Sequence, residues 1–320
     1  DDAVHANGSV TVSGGTFAVT TGDDGVHADN AVTITDGTLS IRECYEGIEG
    51  QTIDISGGTI DITASDDGLN AAGGADRSGF GGRGPDSFGG SSDSRITISG
   101  GTLRIDASGD GIDSNGALTV SGGETYVSGP TSDGDSALDH DGSATVTGGT
   151  VIAAGYSGMA QNFGTDSTQG SILLTSRSTS TETIRVTDAS GSVLAEFAPA
   201  KAYSCVIVST PALRQGGTYT VTMGGESTDV TLESLIYGTG GMGGQPGGGN
   251  MGTPPDGNGG GMGTPPRRKR RQRRPSRTIN QLPFSLQDRQ RCAPARNVQG
   301  RTGLFMGQLL CYPEIKEQKF

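Results

Sequence analysis

The chain has 320 residues, of which 57 are glycine, none is tryptophan and only 31% are hydrophobic, and its formal net charge at pH 7 is −12. So few apolar side chains argue against an ordinary globular domain with a thick core. No run of 18 apolar residues predicts a membrane-spanning helix. Abundant Gly, Val, Ile and Thr disfavour helices and favour an all-β protein.

A unit of 21 or 22 residues repeats through the first half of the chain. Each unit has an Asp-Gly-aliphatic-polar corner, a short β-branched run, a Gly-rich bend ending in Thr and a second β-branched run. The aliphatic corner residues Val4, Val26, Ile48 and Leu69 lie 22, 22 and 21 residues apart. A fixed period in this range is typical of stacked coils, in which neighbouring units supply a core that no unit could bury alone.

Alternation with a period of two predicts which side chains point inward. The corner column is Val4, Val26, Ile48, Leu69, Ile112 and Leu138; the first-run column is Val10/Val12, Val32/Ile34, Ile53/Ile55, Ile96/Ile98, Leu118/Val120 and Ala144/Val146; the second-run column is Phe17/Val19, Leu39/Ile41, Ile60/Ile62, Leu103/Ile105, Thr125/Val127 and Val151/Ala153. Three inward faces per turn predict a three-faced parallel β-helix, a solenoid, over residues 1–168. Residues 73–94 form an insertion loop in one bend. Glycine in the Gly-Gly and Asp-Gly pairs is expected to provide positive φ at the bends.

The pattern changes after the coils. Residues 169–237 contain shorter runs that predict a small antiparallel β module closing the end of the solenoid, with a hairpin turn at Asp188–Gly191. Residues 238–266 form a Gly/Met/Pro linker. The chain opens at Asp1 inside a corner motif, so we expect it to be the C-terminal part of a longer protein whose earlier coils and export signal are missing. Cys44 and Cys205 fit neither a zinc spacing nor a disulfide framework.

The tail from 267 to 320 differs in charge from everything before it. Residues 1–266 carry a net charge of −23, whereas the tail carries +11. The run Arg267–Arg271 is typical of polyanion binding. It can also be encoded CGA CGG AAA CGG CGG C, which reads Asp-Gly-Asn-Gly-Gly when shifted by one base, the same sequence as 256–260. We therefore hypothesise a frameshifted, disordered tail, with a genuine basic tail and an appended segment as alternatives.

Polar residues of the corner are predicted to form two parallel columns. Successive residues within a column are one coil spacing apart, about 4.8 Å. The outward column is His5, His27, Glu49, Asn70, Asp113 and Asp139, and the acidic column before it is Asp2, Asp24, Glu46, Asp67, Asp110 and Asp135. Adjacent carboxylates repel unless a cation lies between them, and dense oxygen ligands favour Ca²⁺. The candidate calcium ligands are Asp24, Glu46, Glu49, Asp67, Asp110 and Asp113. The alternative is that Asp-Gly simply makes a good turn.

The same stripe is interpreted as a binding surface rather than an active site. Lyase chemistry on acidic sugars needs a base near a calcium-bound uronate, and residues 1–200 contain no lysine. Arg104 is the one candidate base, and we assign no catalytic residue. The candidate sugar-binding residues are His27, Glu49, Asn70, Arg104, Asp113 and Asp139. A second outward row, Thr11, Thr33, Asp54, Thr97, Thr119 and Thr145, suits a structural ladder, an ice-binding surface or part of a glycan-binding face.

Several segments of the repeats, and one segment after them, resemble a known protein family. The segments Asp-Asp-Gly-Val-His-Ala-Asp (23–29), Tyr-Glu-Gly-Ile-Glu-Gly (45–50), Ser-Asp-Asp-Gly-Leu-Asn (65–70) and Phe-Ala-Pro-Ala-Lys-Ala-Tyr (197–203) are similar to the bacterial polysaccharide-lyase-like carbohydrate-binding β-helix proteins. The resemblance covers residues 1–237 and implies a right-handed parallel β-helix, bound calcium, secretion or cell-surface display, and binding of cellulose-like or pectin-like polysaccharide. Cys44, where Ser is usual, and the tail depart from the family.

Sequence analysis therefore predicts an extracellular, calcium-assisted, non-catalytic carbohydrate-binding β-helix. The enzyme alternative is a pectate-lyase-type activity, and the structural alternative is an adhesin or ice-binding solenoid.

Overall fold

The computed structural model describes residues 1–72 and 93–238, which contain strands and no helix. All of the predicted insertion loop except Asp93 and Ser94, all of the linker except Gly238, and the whole of the 267–320 tail lie outside the described residues. Within the described ranges there is accordingly no helix of the length and apolarity that crossing a membrane requires.

Eighteen strands occur in the described residues. They are β1 (Val4–Ala6), β2 (Ser9–Thr20), β3 (Val26–Cys44), β4 (Ile48–Ile55), β5 (Thr59–Ala64), β6 (Leu69–Ala71), β7 (Arg95–Ala107), β8 (Ile112–Ser114), β9 (Ala117–Ser128), β10 (Asp139–His140), β11 (Ala144–Gly155), β12 (Ser171–Ser180), β13 (Ile184–Asp188), β14 (Val193–Phe197), β15 (Tyr203–Ser209), β16 (Thr218–Met223), β17 (Glu226–Thr231) and β18 (Ile236–Tyr237).

The strands confirm the predicted parallel β-solenoid, which has about six turns. Strands β1, β3, β4, β6, β8 and β10 pair in parallel and form a ladder at the corner of each coil. The long strands continue around the bends: β3 contributes its beginning to the corner ladder, 31–34 to the first-run ladder and 38–44 to the second-run ladder. Every ladder places equivalent residues of successive coils side by side.

The inward columns form the core. Ile34, Ile53 and Ile96 of the first run and Leu39, Ile60 and Leu103 of the second are at most 2% exposed. Thr125, the polar member of its column, is also fully buried. Phe17, by contrast, is 38% exposed, because within the described residues a coil covers it on one side only.

Glycines at the two kinds of bend serve different purposes, and the sequence prediction was right for only one of them. The second glycine of each Gly-Gly bend has positive φ, for example 86° at Gly58 and 82° at Gly101. The corner glycines do not have positive φ. Only glycine fits at these corners, because a Cβ would overlap atoms of the coil interior. A Cβ on Gly68 would meet Ile105 Cγ2 and the carbonyl oxygen of Gly111. The corner is therefore glycine for reasons of packing.

The region after the coils is divided between two sheets. Strand β15 pairs antiparallel with β11 of the last coil, and β12 pairs antiparallel with β15, so both extend the solenoid sheet instead of belonging to a separate module. Strands β14, β13, β16 and β17 form a separate antiparallel sheet. The predicted hairpin turn is confirmed, since Gly191 has φ of 84° and donates its N–H to Asp188 O at 2.9 Å. Strand β17 has no hydrophobic alternation that would predict it, since five of its six residues are exposed and the run is polar.

The packing role of the corner glycines predicts that alanine destabilises the protein at a corner glycine but not at a glycine with open space around it. Gly68→Ala should lower the free energy of unfolding by about 1–3 kcal/mol, because its methyl group overlaps Ile105 and the Gly111 carbonyl and the coils must separate to admit it. Gly8→Ala is the control, since a Cβ there meets nothing within 4 Å, and it should change stability by less than about 0.5 kcal/mol. Urea unfolding of the two variants measures the difference; equal stabilities would contradict the packing explanation.

Candidate functional site

The corner ladder brings the predicted polar residues into one column. His5 pairs with His27, His27 with Glu49, Glu49 with Asn70, Asn70 with Asp113, and Asp113 with Asp139. The register follows from the repeated corner motif, because each corner glycine allows the next coil to approach at the same height. The sequence prediction of this column, one residue per coil, is confirmed, and we call it the inner column.

Three residues before each of the first five of these lies the acidic column, Asp2, Asp24, Glu46, Asp67 and Asp110, and the order of these five is as predicted. In four places a side chain in this column accepts a hydrogen bond from the backbone N–H of the next coil. Asp2 Oδ1 accepts from Asp24 N at 3.3 Å, Asp24 Oδ1 from Glu46 N at 3.2 Å, Asp67 Oδ1 from Asp110 N at 2.6 Å, and Asp110 Oδ1 from Ser136 N.

Asp135 was wrongly predicted to continue the acidic column. The N–H of Gly111 is bonded to the carbonyl of Ser136, which makes Ser136 the equivalent residue of the sixth coil. Asp135 lies one position earlier, where its carboxylate accepts from Ser132 Oγ at 2.5 Å. Counting two residues back from the aliphatic Leu138, as in the other corners, also gives Ser136, so the sixth coil has a serine and not an acid at this position.

The prediction that these residues form an outward-facing stripe was wrong, because several of them are buried. His27 is 0% exposed and Asn70 is 4% exposed, and Asp24, Glu46 and Asp67 of the acidic column are buried as well. The side chains of the two columns, together called the acidic corner, cover one another from coil to coil. A residue predicted to face solvent therefore faces its neighbours. Glu49, Asp113 and Asp139 are partly exposed, and their predicted sugar-binding role stays a prediction.

His27 is enclosed by carboxylates instead of facing a sugar. Its Nδ1 lies 3.4 Å from Asp2 Oδ2, 3.6 Å from Glu49 Oε2 and 4.0 Å from Asp24 Oδ2. On the other side of the ring, Nε2 lies 3.7 Å from Asp29 Oδ1. The imidazole thus occupies the middle of an acidic cluster, and a fully buried ring cannot contact a saccharide directly.

A second cluster, without histidine, lies two coils further on. Ligand oxygens of Asp67, Asp110 and Asp113 all lie within 4.8 Å of one another. Burial, followed by the neighbouring carboxylates, raises the pKa of Asp110 to about 8 and holds the pKa of Asp67 well above its usual range. Asp110 therefore holds a proton near neutral pH unless a cation takes the place of that proton.

Glu46 and Asn70 lie between the two clusters and supply the most informative atoms of the site. They share a side-chain hydrogen bond, and burial followed by the charges of Glu49 and Asp67 raises the pKa of Glu46 well above its usual range. Glu46 Oε2 and Asn70 Oδ1 are both buried, and within the described ranges neither has a hydrogen-bond partner. Buried oxygens without a donor are costly, so each needs a proton, a water or a cation.

The donor set of the second cluster fits calcium. It consists of carboxylate oxygens, the hard ligands that Ca²⁺ prefers, and the amide oxygen of Asn70 belongs to the same coil as Asp67. Of the predicted ligands, the structure brings Asp67, Asp110 and Asp113 together and places Asp24 with Glu49 around His27. A ring nitrogen is a poor calcium ligand, so the His27 cluster fits the ion less well.

The two remaining predicted residues lie apart from these clusters. Asp139 ends the inner column, where it accepts hydrogen bonds from His140 N at 2.8 Å and from Gln161 Nε2. Arg104 belongs to the second-run ladder, opposite Asp61 and Tyr126 in the register. Its guanidinium carbon lies 4.6 Å from the centre of the Tyr126 ring, in a groove that sequence analysis did not identify. The sequence could have predicted that Tyr126 lies beside Arg104, because the two residues are 22 positions apart, one repeat unit. It could not have predicted that Phe197 packs against Tyr126.

Comparison with known proteins gives one match. A family model described as "Carbohydrate-binding domain-containing protein" matches residues 1–79, about a quarter of the chain. Neither the curated proteins nor the solved structures contain a match. The matched segment includes the first four corners and hence Asp24, Glu46, Glu49 and Asp67.

The raised pKa values predict how stability depends on pH without a bound cation. Asp110 has a pKa of about 8 in the folded protein against an ordinary value of 3.8, so the folded state retains a proton that the unfolded state loses between about pH 4 and 8. Stability must then fall as the pH rises through this window, by up to about 1.4 kcal/mol per pH unit for one such group. In EDTA, Asp110→Asn should flatten the decline, because the amide keeps an acceptor for Ser136 N but carries no titrating proton. Urea unfolding at several pH values measures the slope, and an unchanged slope would contradict the assignment.

Proposed function

We propose that the protein binds carbohydrate without converting it, and that calcium held at the acidic corner assists the binding. The observation that carries this proposal is the pair of buried oxygens, Glu46 Oε2 and Asn70 Oδ1, that have no hydrogen-bond partner in the described part of the chain and lie among buried carboxylates. Such a site is built for a cation rather than for a closed network of hydrogen bonds.

Carbohydrate as the partner is supported by the family match and by the shape of the solenoid. The matched segment contains the acidic corner of the first four coils, and the family is described by its carbohydrate-binding domain. A parallel solenoid places a polar residue at the equivalent position of every coil, and a polysaccharide repeats the same sugar along its length. A repeating surface therefore suits an extended glycan, either cellulose-like or pectin-like, better than a compact ligand.

Calcium would solve the electrostatic problem that this surface poses. Residues 1–266 have a net charge of −23, which repels an anionic glycan. Asp67, Asp110 and Asp113 would hold the ion, with Asn70 and Glu46 beside them, and a bound ion supplies positive charge and coordination positions for sugar hydroxyl or carboxylate oxygens. We further propose that the protein acts outside the cell or at its surface, where polysaccharide and millimolar calcium meet.

The two alternatives gain no support from the described residues. A lyase needs a base beside the cation, and Arg104, the candidate base, lies in the second-run ladder and not in the corner ladder. An ice-binding face needs an uninterrupted row of threonines. The register confirms the row from Thr33 to Thr97, but Asp54 lies between them and forms an ion pair with Arg95 at 3.3 Å.

Removal of calcium tests the proposal. The wild-type protein should bind polygalacturonate or cellulose in 2 mM calcium and lose at least about tenfold in affinity in excess EDTA, because the acidic corner then has no positive charge to offer. Isothermal calorimetry measures both glycan and calcium binding. Glycan binding that persists unchanged in EDTA would overturn the role of calcium, and failure to bind any glycan in calcium would overturn the function.

A matched pair of substitutions locates the ion. Asp67→Asn removes one charged ligand while preserving an acceptor for Asp110 N, and it should weaken calcium binding at least about tenfold. Glu226→Gln, at an exposed position of β17, removes the same charge far from the corner ladder in sequence and register, and it should leave calcium affinity unchanged. Equal affinities of the two variants would place the ion elsewhere.

A further inference from the structure

The second-run face of the solenoid carries a groove that is separate from the acidic corner. Its volume is about 330 Å³, and its lining includes side chains of four successive coils together with the segment 197–200. The polar and aromatic side chains in the lining are Arg42, Asp61, Thr63, Arg104, Asp106, Tyr126, Ser128 and Phe197. The volume falls at the lower end of the range of small-molecule sites, so the groove suits a short stretch of a saccharide.

Two arginines without carboxylate partners lie in this groove. In the described part of this acidic protein, no carboxylate oxygen lies within 4.0 Å of a guanidinium nitrogen of Arg42 or Arg104, whereas Arg95 and Arg185 both form ion pairs. Arg42 donates from Nε to Ser40 Oγ at 2.9 Å, which leaves its terminal nitrogens available. Two available guanidinium groups in one groove attract an anion.

Arg104 is held in place by an aromatic pair instead of an acid. The Tyr126 ring faces its guanidinium at 4.6 Å and packs against Phe197, with 5.4 Å between ring centres. A cation–π contact orients the guanidinium plane without neutralising its charge or occupying its N–H groups. The side chain is therefore fixed in position and still able to donate to a ligand.

The wall of the groove is fastened to the coils. Ala200 N donates to Ser128 Oγ at 2.9 Å, and Lys201 Nζ lies 2.8 Å from Asp106 Oδ1. These contacts tie the segment that carries Phe197 to the fourth and fifth coils. A site whose parts are already ordered loses little conformational entropy when its ligand binds.

We propose that this groove is a subsite for the carboxylate of an acidic sugar, with Arg104 and Arg42 as its ligands and Tyr126 as the residue that positions Arg104. A guanidinium matches a carboxylate in planar geometry and can donate two hydrogen bonds to it. Asp61 and Thr63, between the two arginines in the register, can accept hydrogen bonds from the hydroxyl groups of the same sugar. The inference rests on the proposed function and specifies it: the glycan is a polyuronate and not a neutral glucan.

The test compares a short oligogalacturonate with its methyl ester, which has the same hydroxyl groups and no charge. Wild-type protein in calcium should bind the acid at least about tenfold more tightly than the ester. Arg104→Gln should weaken binding of the acid about tenfold or more and abolish the preference, because a charge-assisted hydrogen bond to the carboxylate is lost. Arg214→Gln, which removes an exposed arginine from a turn beyond the solenoid, is the charge-matched control and should behave as wild type.

Tyr126 variants separate positioning from folding. Tyr126→Phe retains the ring over Arg104 and should retain the preference for the acid, whereas Tyr126→Leu should lose it while its calcium affinity, measured at the acidic corner, stays unchanged. Binding of acid and ester with equal affinity, or wild-type preference in Arg104→Gln, would overturn the subsite and leave carbohydrate binding itself standing. Absence of binding to every glycan, neutral cello-oligosaccharides included, would instead overturn the proposed function.

Discussion

Parallel pairing of equivalent residues is the constraint on which the rest of this molecule depends. Each coil lies about 4.8 Å from the next, so any side chain that recurs once per unit meets its own copy above and below. The consequence is favourable for Ile and Val, which stack into a core, and unfavourable for Asp and Glu, whose charges accumulate. The register from Val26 through Ile48 to Leu69 therefore fixes the hydrophobic core and the electrostatic problem at once.

The acidic corner meets part of that problem with backbone hydrogen bonds. One oxygen of Asp24, Asp67 and Asp110 accepts an N–H from the following coil, which explains why an acid with a short side chain recurs at this position. The turn-forming role of Asp and a cation-binding role are thus compatible, because the first uses one carboxylate oxygen and leaves the other directed at its neighbours. Glu46 differs, since its longer side chain places Oε2 where the described residues offer no donor.

The second-run face handles charge in the opposite way. Instead of collecting one sign, its columns alternate: Asp61 stands beside Arg104, and Thr63 stands between Arg42 and Asp106. Arg42 and Arg104 do not form ion pairs within the described residues. Arg104 packs on Tyr126, and Asp106 is paired with Lys201, which lies beyond the coils. The C-terminal strands do more than end the solenoid: they complete this groove by bringing Phe197 and the chain after it onto the fifth coil.

The sequence by itself determined the solenoid, the inward columns and the order of the inner column, because a period of 21 or 22 residues and an alternation of two are local properties. It did not determine burial. His27 and Asn70 are polar residues next to inward aliphatics and looked exposed, but the density of side chains at the corner encloses them. Nor did it determine that Gly68 is needed for packing against Ile105, that β12 and β15 extend the solenoid sheet, or that Phe197 reaches Tyr126. Those facts depend on contacts between residues far apart in the chain, and only the tertiary structure decides such contacts.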